Sequence, residues 1–458
     1  MSTRQLTTGS IPRHVRAIAL PSSIGLFFQT MYNVVDSFYA GQVSTTALAA
    51  LGLSFPVFLL IIATGGGLSR GASALIANAI GAGDESGKLR LIRQSLSLGV
   101  LLSLAIAVAG FLAAPMLFGV LGASGEYLTL ATSYMNPIFA GSMFFILSSV
   151  SNAILVASGD SRTYSKVLIA GFFLNLILDP WFLHGGFGLP AMGIAGIAWA
   201  TVLIQMCGSL FLLWTIVSRQ LVNLKPIRSL APDLASYQEI AIQAVPASFS
   251  ILSVSLGFFV ITYFLKGCGQ STVAAFGVTT RIEQIGLLPS FGLYSAIMAL
   301  VGQNNGAKRF SRVRESMKVC NLAGLLLVLT TSTLIFLFAS RLMNLFTNDA
   351  EVIAIGVGYV QIMAFMQWCY VITSTHLAFL QAVKRPRYGF FESILRKVLL
   401  PAPLMWLFVG KMQYSVDAVW YSVAASNVIM TVITAVYAQR HLAKLPADDV
   451  ATPKSTAI

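Results

Sequence analysis

The sequence predicts an all-α membrane protein in which twelve transmembrane helices form two six-helix lobes, related by a pseudo-twofold axis along the membrane normal. Three observations predict this fold: the composition, the series of apolar stretches and an internal repeat. Of the 458 residues, 56% are hydrophobic and 10% are charged, whereas about 25% of an average soluble domain is charged. We therefore expect nearly the whole chain to lie in a bilayer.

Twelve apolar stretches are long enough to cross a bilayer, which requires about 20 helical residues. Glycine, proline or clusters of charge separate these stretches. The predicted spans are residues 14–40, 45–80, 91–117, 127–157, 162–184, 193–218, 238–266, 271–305, 314–339, 351–382, 389–409 and 414–439.

The second half of the sequence repeats the first. A single constant shift along the chain places ALPSS (19–23) on AVPAS (244–248), and GLSRGASALIANAIGA (67–82) on GLYSAIMALVGQNNGA (292–307). Two similar bundles that face each other enclose a cleft that can open to either side, which indicates alternating access. The predicted organisation is an N-lobe at 1–219 (spans 1–6), a cytoplasmic linker at 220–237, a C-lobe at 238–443 (spans 7–12) and a cytoplasmic tail at 444–458.

The basic residues predict a membrane protein with both termini in the cytoplasm. In this orientation 22 of the 29 Lys and Arg residues fall in cytoplasmic segments, and three (Lys266, Arg341 and Lys411) fall in outer loops. Cytoplasmic loops are enriched in basic residues, so this bias sets the orientation. The same bias, together with anionic lipid, accounts for the net charge of +13 without a nucleic-acid partner.

Sequence motifs for enzymatic chemistry are missing. No GxxxxGK[ST] loop is present, so a secondary transporter is favoured over an ATP-driven pump. The four histidines neither cluster nor show HExxH spacing, and the four cysteines show no CxxC spacing. We therefore predict neither an enzyme, nor a cofactor, nor a metal site.

Three acidic residues lie well inside predicted spans: Asp36, Asp179 and Glu283. A charge at the bilayer centre is costly, so an embedded acid suggests a function. Asp36 and Asp179 both fall in the outer half of the N-lobe, and the repeat has Ile261 and Leu404 in their places. Any site that they form therefore belongs to one lobe only.

Each of these two acids has an asparagine on its own helix face, since Asn33 precedes Asp36 by three residues and Asn175 precedes Asp179 by four. Two buried carboxylates in one polar pocket favour proton uptake, because desolvation and mutual repulsion oppose a second charge. We predict that Asp36 and Asp179 form a proton-coupling site. The alternative is a structural role, in which each acid faces interfacial water or pairs with a basic residue.

Four segments carry a resemblance to a known family: LPSSIGLFFQTMYNVVDSFYAG (20–41), GLSRGASALIANAIGAGD (67–84), SNAILVASGD (151–160) and LNLILDPWFL (174–183). Together with the two-lobe plan, they resemble the multidrug and toxic compound extrusion (MATE) family over essentially the whole chain. The first and fifth spans are similar to the DNA-damage-inducible (DinF-like) branch of prokaryotic MATE proteins. Members of that branch export lipophilic cationic drugs in exchange for protons.

The resemblance implies that Asp36 carries the proton and that Asn152, Asn175, Asp179 and Thr201 line the same N-lobe pocket. It also implies small cationic or amphipathic substrates and the proton as the coupling ion.

Two alternatives keep the same architecture. A sodium-coupled multidrug exporter is less favoured, because that branch uses acids on the seventh and tenth spans and this chain has none within 246–265 or 352–382. A flippase for lipid-linked saccharides would be expected to have a larger and more cationic central cavity. In each case we expect a monomer surrounded by lipid.

Four further residues are candidates for the transport site. Tyr32 is one of the aromatic residues beside Asp36, and aromatic faces suit lipophilic cations, although lipid contact is the alternative. Pro21 frees the carbonyl of Ala17 and is a candidate hinge, with a static kink as the alternative. Arg281 and Glu283 point to different sides of the eighth span, and the basic residue could pair with an acid across the cleft, with a structural ion pair as the alternative.

Overall fold

The computed structural model describes residues 5–186, 188–223 and 230–448. Parts of the predicted linker (224–229) and of the predicted tail (449–458) lie outside the described residues, as do residues 1–4 and 187. Within the described ranges the chain is helical, and its only β-type pairing is an isolated bridge between Gly186 and Leu189.

Fifteen α-helices make up the described part of the chain. They are α1 (Ile11–Val43), α2 (Thr45–Ala82), α3 (Glu85–Val120), α4 (Gly125–Ala140), α5 (Ser142–Ala157), α6 (Arg162–His184), α7 (Ile194–Ser218), α8 (Leu234–Lys266), α9 (Gln270–Gly306), α10 (Phe310–Leu337), α11 (Ala339–Asn344), α12 (Ala350–Ala382), α13 (Arg387–Ile394), α14 (Pro401–Met405) and α15 (Asp417–Ala443). The π-helical segment Leu395–Leu399 joins α13 to α14, and a second one, Trp406–Lys411, follows α14. Together these four elements form one span.

Eleven helical stretches of the described chain are long and apolar enough to cross a membrane, and the bent pair α4–α5 supplies the twelfth span. The predicted fold class is therefore confirmed. Several helices begin at capping residues that predict their starts. Ser44 accepts a hydrogen bond from the Ala47 amide before α2, and Asp84 accepts one from the Gly87 amide before α3.

The helix boundaries repeat with the same constant shift as the sequence. α4 begins at Gly125 and α12 at Ala350, while α5 ends at Ala157 and α12 at Ala382. We refer to helices α1–α7 as the N-lobe and to α8–α15 as the C-lobe. The exact domain boundaries stay a prediction.

Two pairs of closely packed helices join the lobes, and the shift relates them. A Cβ added to Gly67 of α2 would lie 1.9 Å from Ser248 Oγ of α8, and one added to Gly292 of α9 would lie 2.1 Å from Ser23 Oγ of α1. The helices approach this closely only because glycine has no side chain there. The equivalence of the two contacts places the pseudo-twofold axis between them.

Two amide side chains, one in each lobe, form equivalent hydrogen bonds to the opposite lobe. Asn78 Nδ2 donates to the carbonyl of Ala382 at 2.8 Å, and Gln303 Nε2 donates to the carbonyl of Ala157 at 2.7 Å. Ala157 and Ala382 end α5 and α12, where helical carbonyls have no partner within the helix. Each lobe therefore satisfies the end of a helix in the other.

The first and last described segments of the chain lie on the side of the molecule that these bonds close, which we call the terminus side. The Leu6 amide donates to Gln303 Oε1 at 3.0 Å and its side chain is fully buried, while Arg312 Nη1 donates to the Gly9 carbonyl at 3.0 Å. Near the other end, Arg314 donates to the carbonyl of Leu445.

Hydrogen bonds between described residues of the two lobes all lie in this half of the molecule. On the N-lobe side they start from α2, α3, α5 and the segment before α1. On the C-lobe side they reach the residues before α8 and the terminus-side ends of α8, α9, α10 and α12. The cleft between the lobes therefore opens toward the opposite side.

The fourth span differs from the single helix predicted for residues 127–157. It breaks between α4 and α5 with a bend of 50°, next to Pro137 and Gly141. Pro137 removes one backbone hydrogen bond, and Gly141 leaves space that Val202 fills, at 2.6 Å from an added Cβ. The C-lobe has Ile362 and Met366 at these positions, and α12 continues without a break.

The eleventh span, predicted as one helix at 389–409, also departs from its counterpart α6. Pro401 and Pro403 cannot donate to the carbonyls four residues earlier, and the backbone adopts π-helical geometry on both sides of α14. The Leu400 amide donates to the carbonyl of Leu395, five residues back, at 2.9 Å. The span therefore presents its side chains differently from an ideal α-helix.

Replacing Gly81 or Gly306 by alanine is expected to destabilise the contact between the lobes. An added Cβ would lie 1.9 Å from the Gln303 carbonyl oxygen in the first variant and 2.0 Å from the Asn78 carbonyl oxygen in the second. Overpacking of this kind costs about 1–3 kcal/mol. Thermal unfolding in detergent should show similar decreases in Tm for both variants.

The control is Gly119→Ala, because an added Cβ there meets nothing within 4 Å. Its Tm should stay unchanged or rise, since alanine favours a helix by up to about 1 kcal/mol over glycine. Equal Tm values for all three variants would contradict the close-contact interpretation.

Candidate functional site

The two buried aspartates of the N-lobe meet at a single amide group. Asn175 Nδ2 donates to Asp36 Oδ1 at 2.9 Å and to Asp179 Oδ1 at 2.7 Å. All three side chains are buried, with exposures of 5% for Asp36 and 0% for the other two. One NH₂ group thus uses both of its hydrogens to bridge two carboxylates.

The packing of α1 against α6 positions this cluster. Tyr32, Asp36 and Ala40 of α1 are buried at intervals of four residues, so one face of that helix is turned toward α6 and α7. Asn175 and Asp179 are likewise four residues apart on α6 and share a face. Near the start of α6 a Cβ added to Gly25 would lie 3.0 Å from Ser165 Cα, so the two helices nearly touch.

Hydroxyl groups complete the polar cluster. Tyr32 and Thr201 are buried beside Asp36, and Tyr134 lies near both aspartates. The sequence predicts Tyr32 and the resemblance implies Thr201, whereas neither indicates Tyr134.

Four buried atoms of the cluster have no hydrogen-bond partner among the described residues. They are Tyr32 Oη, Thr201 Oγ1, Asn175 Oδ1 and Asp179 Oδ2. Asn175 Oδ1 can only accept a hydrogen bond, and so can an ionised carboxylate. A proton bound to either aspartate would turn one acceptor into a donor. The arrangement can therefore change its hydrogen bonding when it gains a proton.

The structure does not bring Asn33 into this buried cluster, and the interpretation of Asn33 as a residue that lines the pocket stays a prediction. Asn33 is rotated by about 100° from Tyr32 around α1, and it is exposed. Its carbonyl accepts a hydrogen bond from Ser37 Oγ at 2.9 Å. A spacing of three residues placed Asn33 near the face of Asp36, but the buried face is centred on the other side of that acid.

Asn152 also lies away from the cluster, and its place in the pocket, which the resemblance implies, stays a prediction. Ser161 Oγ, just beyond α5, donates to the carbonyl of Ile18 at 2.9 Å, so the end of α5 is level with Ile18. At about 1.5 Å per helical residue, Asp36 lies about 27 Å beyond that level and Asn152 only about 8 Å. Asn152 therefore lies much nearer to the terminus side.

Pro21 lies within α1, which is helical throughout from Ile11 to Val43. The carbonyl of Ala17, which Pro21 leaves without its helical donor, faces Ser161 Oγ at 3.5 Å. A side chain from another part of the N-lobe thus approaches the backbone at the candidate hinge.

Arg281 and Glu283 do not form an ion pair with each other or across the cleft. Arg281 is exposed and forms no salt bridge with a described residue. Glu283 turns toward α12, where the Tyr359 hydroxyl donates to Glu283 Oε2 at 3.5 Å. The two side chains point to different sides of α9, as their spacing of two residues indicates.

Sequence reasoning missed a charged network in the C-lobe. Arg396 Nε donates to Glu392 Oε1 at 2.5 Å, and Arg396 Nη1 donates to Asn427 Oδ1 at 3.1 Å. Lys397, the next residue, donates to the carbonyl of Ser250 at 3.3 Å. The spacing of Glu392 and Arg396 by four residues in an apolar span was a signal that could have identified the pair.

No group of three or more His, Cys, Asp or Glu residues within the described ranges is arranged to hold a metal ion. Two cavities, of about 440 and 480 Å³, lie on the terminus side, and neither includes Asp36 or Asp179. The chemistry of the candidate site therefore depends on the bridged carboxylates.

Comparison with known proteins gives consistent matches over the whole chain. The MatE family model matches residues 21–181 and residues 246–407, two segments whose starts are related by the shift of the internal repeat. A probable multidrug resistance protein NorM of Thermotoga maritima is 30% identical over 365 residues, which are 80% of this chain and 78% of the relative. An FAD transporter of Shewanella oneidensis is 28% identical over 445 residues, which are 95% of this chain and 96% of the relative.

A solved structure supports the same likeness. It is described as the outward-facing conformation of a multidrug resistance MATE family transporter of the MOP superfamily, and it matches with a TM-score of 0.90 and 26% identity. The match covers 97% of this chain and 99% of that one.

Replacing Asn175 by leucine is expected to lower the stability of the N-lobe. Leucine has a similar size but no donor, so two buried carboxylates would lose their shared hydrogen bonds, at about 1–3 kcal/mol for each unpaired group. Thermal unfolding of the purified protein should show a lower Tm for Asn175→Leu. The matched control, Asn33→Leu, alters an exposed side chain and should leave Tm within about 1 °C of the wild type, since exposed sites contribute little. An equal effect of both substitutions would argue against the bridge.

Proposed function

Because this chain belongs to the MatE family of membrane transporters, we propose that it is a secondary antiporter that exports lipophilic organic cations in exchange for protons by alternating access. A multi-pass transporter, rather than an enzyme, is what its fold and relatives establish. The proton, the antiport mechanism and the DNA-damage-inducible branch belong to the proposal. We also place the protein in a bacterial inner membrane, as a monomer with both termini in the cytoplasm.

The bridge from Asn175 to Asp36 and Asp179 is the observation that carries this proposal. An acid removed from water in a membrane is costly unless it is paired or protonated. Here the partner is a neutral amide that serves two acids, and no basic side chain pairs with either among the described residues. Such a pair is suited to binding and releasing a proton.

Protonation would change how α1 is held in the N-lobe. While both acids are ionised, Asn175 draws the carboxylates of α1 and α6 toward one NH₂ group. A proton on Asp36 supplies a donor that can pair with another acceptor of the cluster and weaken the link between the helices. Pro21, lower on α1, provides a place where the helix can bend in response.

The direction of transport follows from where the acids lie. The aspartates belong to the half of the N-lobe that faces the open side of the cleft, so protons from that side can reach them. In a cell that side would be the exterior. Exchange of one proton for one monovalent cation moves no net charge, so the pH difference drives it. One pH unit supplies about 1.36 kcal/mol, which sustains a substrate gradient of about 10-fold.

Asp36→Asn is expected to abolish proton-driven export, because the amide cannot take up the proton. The measurement is ethidium export from an efflux-deficient bacterium, together with the amount of protein in the membrane. We expect export to fall to the level of cells that lack the protein, because an exchange that requires a bound proton stops when the proton cannot bind. Asp417→Asn is the control, since Asp417 is exposed at the start of α15 on the open side. Undiminished export by Asp36→Asn at normal protein levels would rule out Asp36 as the proton carrier.

Replacing sodium with potassium in the medium is expected to leave ethidium export unchanged. The sodium-coupled branch uses acids on the seventh and tenth spans, and in this chain residues 246–265 and 352–382 of those spans contain no acid that could bind the ion. The measurement compares initial rates of export in proteoliposomes at a fixed proton gradient. A rate that depends on sodium would instead support the sodium-coupled alternative.

A further inference from the structure

Two cationic side chains in the membrane-spanning part of the protein have no carboxylate partner. Lys397 Nζ donates to the Ser250 carbonyl at 3.3 Å and to Ser253 Oγ at 3.4 Å, both of which are uncharged. The guanidinium of Arg70 lies over the ring of Tyr294, 4.8 Å from its centroid. Among the described residues, neither Lys397 nor Arg70 forms a salt bridge.

The acids near Lys397 already have partners. Glu392 is fully buried and pairs with Arg396 at 2.5 Å. Glu283 lies against the hydroxyl groups of Tyr359 and Tyr370 and within reach of the charge of Arg396. The positive charge of Lys397 is therefore left without a counterion at hydrogen-bond distance.

The two cations approach each other across the boundary between the lobes. Side chains on a helix tilt toward its N-terminus. α2 begins on the open side, so Arg70 points toward the cleft, whereas the eleventh span begins on the terminus side, so Lys397 points down toward Arg70. Arg70 lies between Gly66 and Gly71, which pack against Ile251 and Ala244 of α8, and Lys397 Nζ lies beside Ser250 of the same helix, so both cations flank one stretch of α8.

The meeting point is the floor of the cleft. The helices α2 and α8 touch at Gly66 and Ile251, where an added Cβ would lie 2.8 Å from Ile251 Cδ1. Lys397 Nζ lies beside Ser250 and Ser253, where that contact ends. Both Arg70 and Lys397 are partly exposed, so a molecule in the cleft can reach them.

The backbone around Lys397 is built differently from its counterpart in the N-lobe. Lys397 lies in the π-helical segment Leu395–Leu399, and Pro401 cannot donate to its carbonyl. Segments of this kind occur often at functional sites. The equivalent position in the N-lobe is Phe172, so the cation belongs to one lobe only.

We propose that Arg70 and Lys397 bind the anionic group, a phosphate or a carboxylate, of an amphipathic substrate at the floor of the cleft. Two like charges repel strongly in a medium of low dielectric constant, and an anion between them removes that repulsion. Guanidinium and ammonium groups are the donors that bind phosphate and carboxylate most strongly. Tyr294 and the apolar walls of the cleft would contact the rest of the molecule.

This inference rests on the proposed transport function. It assigns the cationic and the anionic groups of a substrate to two different places in the protein. Cationic groups would be drawn to the acids in the outer half of the N-lobe, and anionic groups to the floor between the lobes. The protein would therefore accept amphiphiles that carry an anionic group as well as simple cations.

Equilibrium binding tests the site without requiring transport. The probe is flavin adenine dinucleotide, with riboflavin as the analogue that has the same ring but no phosphate, and quenching of flavin fluorescence reports the Kd in phosphatidylcholine nanodiscs. We expect the wild type to bind the phosphate-bearing flavin at least about 10-fold more tightly than riboflavin, because charge-assisted hydrogen bonds add that much affinity. Lys397→Gln and Arg70→Gln should each remove most of this difference.

Two variants of the same span serve as controls. Lys397→Arg keeps the charge and should keep the preference for the phosphate-bearing flavin, which separates the role of the charge from that of the fold. Lys411→Gln removes an exposed lysine at the other end of the span and should bind like the wild type. Thermal unfolding verifies that each variant is folded. Equal affinity of the wild type for both flavins, or an unchanged preference in both Gln variants, would overturn the proposal.

A competition experiment with an anionic lipid identifies the source of the anion. If phosphatidylglycerol in the nanodisc competes with the flavin in the wild type but not in Lys397→Gln, a lipid headgroup occupies the site; if it does not compete, the site prefers a soluble amphiphile. Both results support an anion site at Lys397. Because binding is measured without a gradient, a negative result leaves proton-driven ethidium export to be judged separately by Asp36→Asn.

Discussion

The close approach of two glycine-bearing helix pairs on the terminus side is the contact on which the rest of the structure depends. Gly67 against Ser248 and Gly292 against Ser23 bring the lobes together around a pseudo-twofold axis. Amide side chains then close the same half by capping helix ends in the opposite lobe. Because closure is confined to one half, the other half is left open as a cleft, and the polar residues of each lobe face that opening from different depths.

The helices and their contacts between the lobes follow the pseudo-twofold symmetry, but the buried polar residues do not. Several helices of the two lobes begin or end at equivalent residues, and the glycine contacts between the lobes are paired. The buried polar groups are not paired, since Ile261 stands at the position equivalent to Asp36 and Phe172 at the position equivalent to Lys397. Packing constrains the arrangement of the helices in both lobes, so the buried polar residues can differ between the lobes.

The charges inside the membrane are arranged by sign. The N-lobe has two acids joined by Asn175, whereas the C-lobe balances Glu392 with Arg396 and leaves Lys397 at the cleft. Buried charges are tolerated where other groups hold them in place. The interior therefore has a cluster of acids in one lobe and a lysine without a carboxylate partner among the described residues in the other.

Much of this protein could be predicted from its sequence, because hydrophobicity and repetition are properties of the chain itself. Twelve spans, the constant shift between the two halves and the embedded acids Asp36 and Asp179 follow directly from the order of residues. Contacts between helices could not be predicted in this way, since they depend on how each helix is rotated and bent against its neighbours. That rotation excludes Asn33 from the polar cluster, and the course of α5 places Asn152 too near the terminus side. The same tertiary packing turns Asn175 into a bridge and brings Arg70 to Lys397, residues that no local pattern relates.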